Sequence, residues 1–449
     1  MDAEQLVADF VVNTRWDGLP QPVQRKVRLC LLDDLGATLV GTLTGVARIA
    51  AGYAARTWRG EEATILLSGQ RAGAAGAAFA NGYAANGLDI DDCGLYTRGH
   101  PGAQVFPAAL AVAESLTLDG ARLLAAMVVG YEVAHRAGRC WHDHHAVYQA
   151  CGSWGSLACA AVAANLMGLT PGQTRHALGI AEYHAPNLPM MRDIDHPAMV
   201  KHGIGWGAMT GITAAELAAC GFTGIPTILG FEQYQDWVAD VGRRYVMVDG
   251  VAWKRYACCA WAHAALNGAE SLVRQHAIRT EDIAHIRVES FHETVRLGAR
   301  LPTTTEQAQF NLAWPLAVFL LDGEVGPQQM LEHRLDDPQV QDLVSRIELV
   351  EAEQLNALAH LLDTDDPRGK FATIVTIALK DGRAFNSGMV ESGICYPQPD
   401  WDEQTVECKF RWLARHVLDE ARVSALVELV WNVECLPDVR ELTRLLDRA

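Results

Sequence analysis

The spacing of apolar residues divides the chain into two kinds of territory. Up to about residue 245, "EQLVADFVVNT", "PVQRKVRLCLLDDLGATLVG" and "AGAAGAAFANGYAANGLDI" carry apolar residues three and four apart. That spacing gathers them on one face of a helix. "PAALAVAESL" and "DGARLLAAMVVGYEVAHRAG" continue it, with Asp119 placed to cap the second from outside. "SWGSLACAAVAANLMGL" is small on nearly every face, which predicts a central helix with close backbone neighbours. "TPGQTRHALGIAEYH" opens with Thr170 at the N-cap and Pro171 at the first helical position.

Near residue 246 the period changes. "EDIAHIRVESF" alternates like a strand, and "FATIVTIALKDGRAFNSGMV" predicts two strands around a turn at Asp381-Gly382. Helical stretches lie between them, "CCAWAHAALNGAESLVRQHA" and "FNLAWPLAVFLLDG". From about residue 400 the helical period returns in "VECKFRWLARHVL", "ARVSALVELVWNV" and "VRELTRLLDR". The expected fold is mainly α. A large all-helical domain of residues 1–245 plus 397–449 contains both termini, and a smaller α/β domain of residues 246–396 is inserted in it.

The length of 449 residues suits two cores rather than one. A formal charge of −17 excludes a nucleic-acid groove, which needs a basic surface. It also requires any anionic ligand to be met by a local cluster of Lys, Arg or His. The eleven cysteines do not form a disulfide framework in a chain this long, and the first residues have no basic segment leading into an apolar run. Free thiols in a reducing, cytoplasmic setting are expected, with no membrane span, because charged and polar residues interrupt the Ala-rich runs.

No phosphate loop, HExxH or paired CxxC occurs, and "CGSWGS" lacks the strand that a nucleophile elbow requires. "WHDHH", residues 141–145, is the one tempting metal cluster. Neighbouring side chains on a helix diverge, so at most two of these groups could share an ion; without an ion the segment is solvated or lies at a pocket edge. Cys258 and Cys259 precede an apolar helical run and are expected to be buried as small hydrophobes.

Three segments concentrate candidate chemistry. "LDIDDCGLYTRGHPG" holds Asp89, Asp91, Asp92 and His100, the last fixed by Pro101-Gly102. The aspartates serve either as caps and solvated loop groups or as carboxylates with perturbed pKa. "HPAMVKHGIGWGAMTG" sets Lys201 and His202 before a glycine-rich helix, as an exposed charge or an anion ligand. "WKRYACCAWAH" places Lys254, Arg255 and His263 near the domain seam, a favoured place for ligands.

In this order the segments resemble the MmgE/PrpD family. "NGYAANGLDIDDCGLYTRGHPGAQVFPAALAVAE", "GYEVAHRAGR", "CGSWGSLACAAVAANLMGL", "MVKHGIGWGAMTGITAAELAACGFTG", "WKRYACCAWAHAALNGA" and "AQFNLAWPLAVFLLDG" carry the resemblance. It implies a helical domain with a smaller α/β lid, a homodimer, and small di- or tricarboxylates as substrates. It also implies that neither a metal nor an organic cofactor takes part. The family's aspartate–histidine segment maps onto Asp89, Asp91, Asp92 and His100, its helix lysine onto Lys201 and its seam lysine onto Lys254. Three positions depart from the family pattern. Ala146 stands where a histidine is usual, with His145 beside it; Trp314 replaces a tyrosine and Cys259 a histidine.

The resemblance implies a lyase, dehydratase- or decarboxylase-like, that moves a proton on carbon next to a carboxylate. His100 or Lys201 would be the base, Asp91 or Asp92 would orient His100, and Lys254 with Arg255 would hold carboxylates. Asp89, His202, His263 and Trp314 are further candidates for contact with substrate. If His145 or Tyr148 faced the substrate opposite Lys201, two-base transfer would give an epimerase. Two readings from different classes compete with these: a relative that binds a carboxylate without turning it over, and a metal-dependent hydrolase built on "WHDHH".

Overall fold

The structure is a computed structural model, and it describes residues 2–364, 366, 368–394, 398 and 401–447. It is mainly helical. The predicted helices occur at Ala3–Asn13, Gln21–Gly41, Ala74–Ala85, Gly102–Ser115, Gly120–His144, Cys151–Met167 and Pro171–Tyr183. Asp119 accepts the Arg122 N–H, and Thr170 forms a reciprocal capping box with Gln173, so both helix starts follow from side-chain chemistry.

Cys151–Met167 is buried along almost its whole length, as its small residues require. It packs on Ile204–Ala219 through glycines: a Cβ on Gly211 would lie 2.5 Å from Cys159 Cβ, and one on Gly207 would lie 2.7 Å from Gly152 O. Gln21–Gly41 meets the end of Ala74–Ala85 in the same way. A Cβ on Gly41 would lie 1.8 Å from Ala84 O, immediately before the acidic segment. Gly41→Ala therefore forces backbone apart, with an expected loss of about 1–3 kcal/mol, measurable as a lower urea midpoint.

One hydrophobic core draws on residues between Ala3 and Trp253 and again between Val406 and Leu446. A second draws mainly on residues 256–379. The second surrounds a four-stranded sheet in the order Ile347–Glu351, Ile283–Ser290, Ala372–Leu379, Ala384–Glu391. The last three strands match the alternation in the sequence. Ile347–Glu351 has no counterpart among the predicted strands; it pairs parallel to Ile283–Ser290, with Val288 opposite Leu349.

Strands also occur within residues 1–245, the stretch expected to be all helical, in two small antiparallel pairings, the second of them with a strand from the expected α/β region. One is the hairpin Ala63–Ile65 with Gln70–Ala72, and the other joins Cys93–Gly94 to Val251–Ala252. The expected boundary at 396–397 lies outside the described residues. Among the described residues no single helix is long and apolar enough to cross a membrane.

Candidate active site

The acidic segment is buried. Helix Ala74–Ala85 stops at Asn86, and Asp89 takes a left-handed conformation with φ of 52°, which turns the chain sharply back. Asn86 Nδ2 donates to Asp89 Oδ1 at 3.2 Å and to Asp91 Oδ1 at 2.8 Å, tying two carboxylates to one amide. Gly94 N–H donates to Gly99 O at 2.7 Å, and the turn this closes delivers His100 back to the aspartates. His100 Nδ1 stands 2.8 Å from Asp92 O and 3.1 Å from Asp91 Oδ2, while Nε2 stands 3.3 Å from Asp89 Oδ1.

Lys254 comes from 165 positions away. The two-residue pairing of Cys93 with Ala252 and Gly94 with Val251, continued in register, sets Lys254 across from Asp91. Its Nζ lies 3.0 Å from Asp89 Oδ2 and also donates to Asp89 O. Both partners of this ion pair are buried, where an unpaired charge is costly.

Lys201 reaches the cluster from a strained turn. Lys201, His202 and Gly203 are successively left-handed, with φ of 42°, 56° and 64°, and for the two non-glycine residues this costs about 1–2 kcal/mol each. Asp193 clamps the turn: its Oδ2 accepts the His202 backbone N–H at 2.9 Å and lies 2.8 Å from His202 Nδ1. The His202 ring then stacks on His100, with centroids 5.6 Å apart and planes within 5°. Lys201 Nζ donates to Gln309 Oε1 at 2.8 Å, and Gln309 Nε2 is held by Gly87 O at 3.0 Å. Phe310 covers the ammonium, 5.0 Å from Nζ to the ring centroid.

The charges are matched in pairs. Burial alone would raise Asp89, but Lys254, then His100, Lys201 and His202, hold its carboxyl well below the usual range. Burial opposes the charged form of Lys254 too, and Asp89 more than compensates. For His100, burial pulls down and Asp91 pushes up, with a net rise well above the ordinary histidine value. Such a rise stabilises the fold fully below the ordinary histidine pKa and is lost as pH rises through the elevated value. His100→Gln should therefore flatten the alkaline part of a denaturation-versus-pH profile, and an unchanged profile would contradict the pairing.

Lys201 stands apart. It has no carboxylate within ion-pair distance among the described residues, only the neutral Gln309 amide. Asp89, His100 and His202 also bring one ligand atom each within 4.8 Å of one another. That donor set does not fit a cation, because Lys254 already occupies Asp89 and His100 holds its proton between two carboxylates.

The structure thus gathers Asp89, Asp91, Asp92, His100, Lys201, His202 and Lys254. His263 is buried nearby, its ring Nε2 3.3 Å from Cys258 O; burial, then Lys254, pushes its pKa well down, so it is neutral. Arg255, Trp314 and His145 lie apart from these groups, while Tyr148 stays beside them, within reach of the His100 charge. Arg255 forms a two-pronged exposed pair with Glu270, at 2.6 and 2.7 Å. Trp314 is a core residue of the sheet-bearing region, and its indole N–H donates to Gln329 O at 3.2 Å. His145 is exposed just past helix Gly120–His144, and the Tyr148 hydroxyl is taken by Arg98 O. Of the "WHDHH" histidines, His142 turns inward, its Nε2 2.6 Å from Thr97 O, whereas His144 and His145 are exposed with their rings 5.3 Å apart. Asn86, Asp193 and Gln309 are functional neighbours that sequence patterning missed. Each is polar and buried, but only the fold shows which side chain it faces.

The structure thus defines a buried cluster of paired aspartates, a histidine and two lysines, one of them without an ion-pair partner among the described residues. The chain belongs to the MmgE/PrpD family: its N-terminal domain matches residues 5–239 and its C-terminal domain residues 256–433. Cis-aconitate decarboxylase of Homo sapiens is 28% identical over 452 residues, covering 94% of this chain and 90% of the relative. Cis-aconitate decarboxylase of Aspergillus terreus is 25% identical over 484 residues, covering 98% and 95%. The corresponding Mus musculus protein is 26% identical over 469 residues, covering 98% and 92%.

Proposed function

We propose that this chain is a decarboxylase-type lyase for a small unsaturated di- or tricarboxylate, with cis-aconitate the first substrate to try. The observation that carries this reading is Lys201, a buried lysine without a carboxylate partner beside a cluster whose other lysine is paired. A substrate carboxylate supplies the missing partner. The named relatives support the choice of substrate and reaction.

Loss of CO₂ leaves an electron pair that spreads through the C=C bond to the carbon beside a second carboxylate. Lys201 faces that developing charge, and preorganised cations in a dry site stabilise it far better than water does. The carbanion then needs a proton. His100 rests protonated, so it acts as the acid rather than as the base that dehydration would require first. Lys254 keeps Asp89 ionised and in place, which holds His100 by its Nε2 side.

The acidic segment and Lys201 come from the first half of the chain, and Gln309 and Phe310 from the sheet-bearing region. Every one of these groups is buried, so substrate entry requires the two to separate. We therefore read residues 246–396 as a lid whose closure excludes water. The purified protein is to be incubated with cis-aconitate and a panel of related acids while CO₂ release and the unsaturated product are followed. Turnover with CO₂ is expected. Thermal stabilisation by these acids without turnover would overturn the reading in favour of a carboxylate binder.

A further inference from the structure

Behind His100 lies a second polar chain that the proposed chemistry does not use. The Tyr131 hydroxyl stands 2.7 Å from Asp92 Oδ2 and 2.8 Å from Asp34 Oδ2, and all three side chains are buried. A phenol has one proton to donate, whereas two ionised carboxylates can only accept. Both contacts are satisfied only if one carboxyl carries a proton of its own. Asp92 already receives two donors, Tyr131 on Oδ2 and Gly102 N–H on Oδ1 at 2.9 Å. Asp34 Oδ1 has no hydrogen-bond partner among the described residues, so the extra proton belongs on Asp34.

Among the described residues no cation forms an ion pair with Asp34 or Asp92, although the Lys26 charge reaches Asp92 from farther off. On helix Gln21–Gly41, Asp33 takes Lys409 of helix Glu403–Ala414 at 2.6 Å, and Lys26 donates to Val251 O and lies over the Trp253 ring. Cys30 of the same helix and Asp91 of the acidic segment are the other titratable neighbours. Asp92 in turn shapes the site. Its backbone O holds His100 Nδ1 and its carboxylate holds Gly102, so one residue closes the loop 92–102 around His100.

We propose that Asp34 is a positioning residue of the carboxylate site, a neutral carboxylic acid that donates to Tyr131 so that Tyr131 donates to Asp92. The inference rests on the function proposed above for its catalytic consequence, but its protonation can be tested without turnover. Burial, followed by the Asp92 and Asp33 charges, raises Asp34 well above the ordinary carboxyl value, and burial pushes Asp92 up to about 7. Once the shared proton is lost, a second negative charge appears beside Asp91, the Tyr131 bridge can no longer serve both carboxylates, and an anionic substrate is repelled.

The test uses the full-length protein and the variant Asp34→Asn, whose amide can donate to Tyr131 but cannot titrate. Two readouts need no substrate. The infrared carbonyl band of protonated buried carboxyls, to which Glu132 and Glu182 also contribute, is expected to lose the intensity of one carboxyl in D34N. The native state also retains a proton that the unfolded chain releases above its ordinary carboxyl pKa. The wild-type unfolding constant therefore rises by up to about tenfold per pH unit per retained proton as pH climbs from that value towards the raised one. D34N is expected to flatten this dependence.

If the chain turns over a polycarboxylate, D34N should lose the alkaline rise in KM that the wild type shows. A band of undiminished intensity in D34N, together with an unchanged stability slope, would overturn the assignment even in an active enzyme. If D34N does not fold, Tyr131→Phe serves. It removes the bridge while both carboxyls stay, and an unaltered pH profile there would equally defeat the proposal.

Discussion

Lys201→Met is expected to lower kcat/KM on the best polycarboxylate by on the order of 10²–10³-fold while leaving the protein folded. The side chain is buried, bonded to the neutral Gln309 amide and covered by Phe310; among the described residues no carboxylate stands within ion-pair distance, and Asp89 and Asp193 act on it only from farther off. Its attraction is available to the substrate and grows as charge develops during the reaction. Because the wild type keeps a buried lysine without a counter-ion, the apolar variant should be as stable as the wild type or more so in urea. Lys201→Arg should not restore activity, since a planar guanidinium cannot occupy the space of a compact ammonium under Phe310. Steady-state kinetics and urea denaturation on the same samples check both halves. Near-normal kcat/KM in Lys201→Met would remove this lysine from the chemistry.

Lys254→Met should behave in the opposite sense. It removes the ammonium from Asp89 and leaves a buried carboxylate with a mismatched surrounding, a change expected to cost about 3–5 kcal/mol. Activity should fall as well, because Asp89 holds His100 from its Nε2 side. The double variant Asp89→Asn with Lys254→Met loses both charges together. It is expected to cost less than the sum of the single changes, since each single variant leaves the other charge stranded. Urea midpoints for the four proteins complete the cycle. Strict additivity would mean that the pair is not an energetic unit.

These two lysines also mark how far the sequence could be read. Periodicity found the helices because each buries a stripe, and Asp119 and Thr170 located their starts through capping chemistry. Strand alternation located Ile283–Ser290 and the hairpin Ala372–Leu379 with Ala384–Glu391. Ile347–Glu351 escaped because five residues carry too little alternation and run into a Glu- and Leu-rich helix. The hairpin at 63–72 escaped because its strands have three residues each.

For the site, the acidic segment, Lys201 and Lys254 were legible as charges in unusual company. Their partners were not. Arg255 and Trp314 sit in the matching segments, yet Glu270 and the core claim them. Gln309 carries no charge to attract notice, and Asp34 and Tyr131 lie within helices whose apolar period conceals them. A signal did exist for Asp34: "CLLDDLGATLVG" puts adjacent carboxylates inside a run of apolar residues, and both prove fully buried.

The short pairing of Cys93–Gly94 with Val251–Ala252 bears on how the candidate site comes into being. Lys254 falls in the gap between the stretches that match the two family domains, 5–239 and 256–433. Closing so large a loop is entropically slow and has to precede the Asp89 ion pair. During refolding, helical signal should thus return before activity does. A cut between residues 240 and 250 would leave Lys254 on one fragment and Asp89 on the other, so competence belongs to the joined chain and to neither half alone.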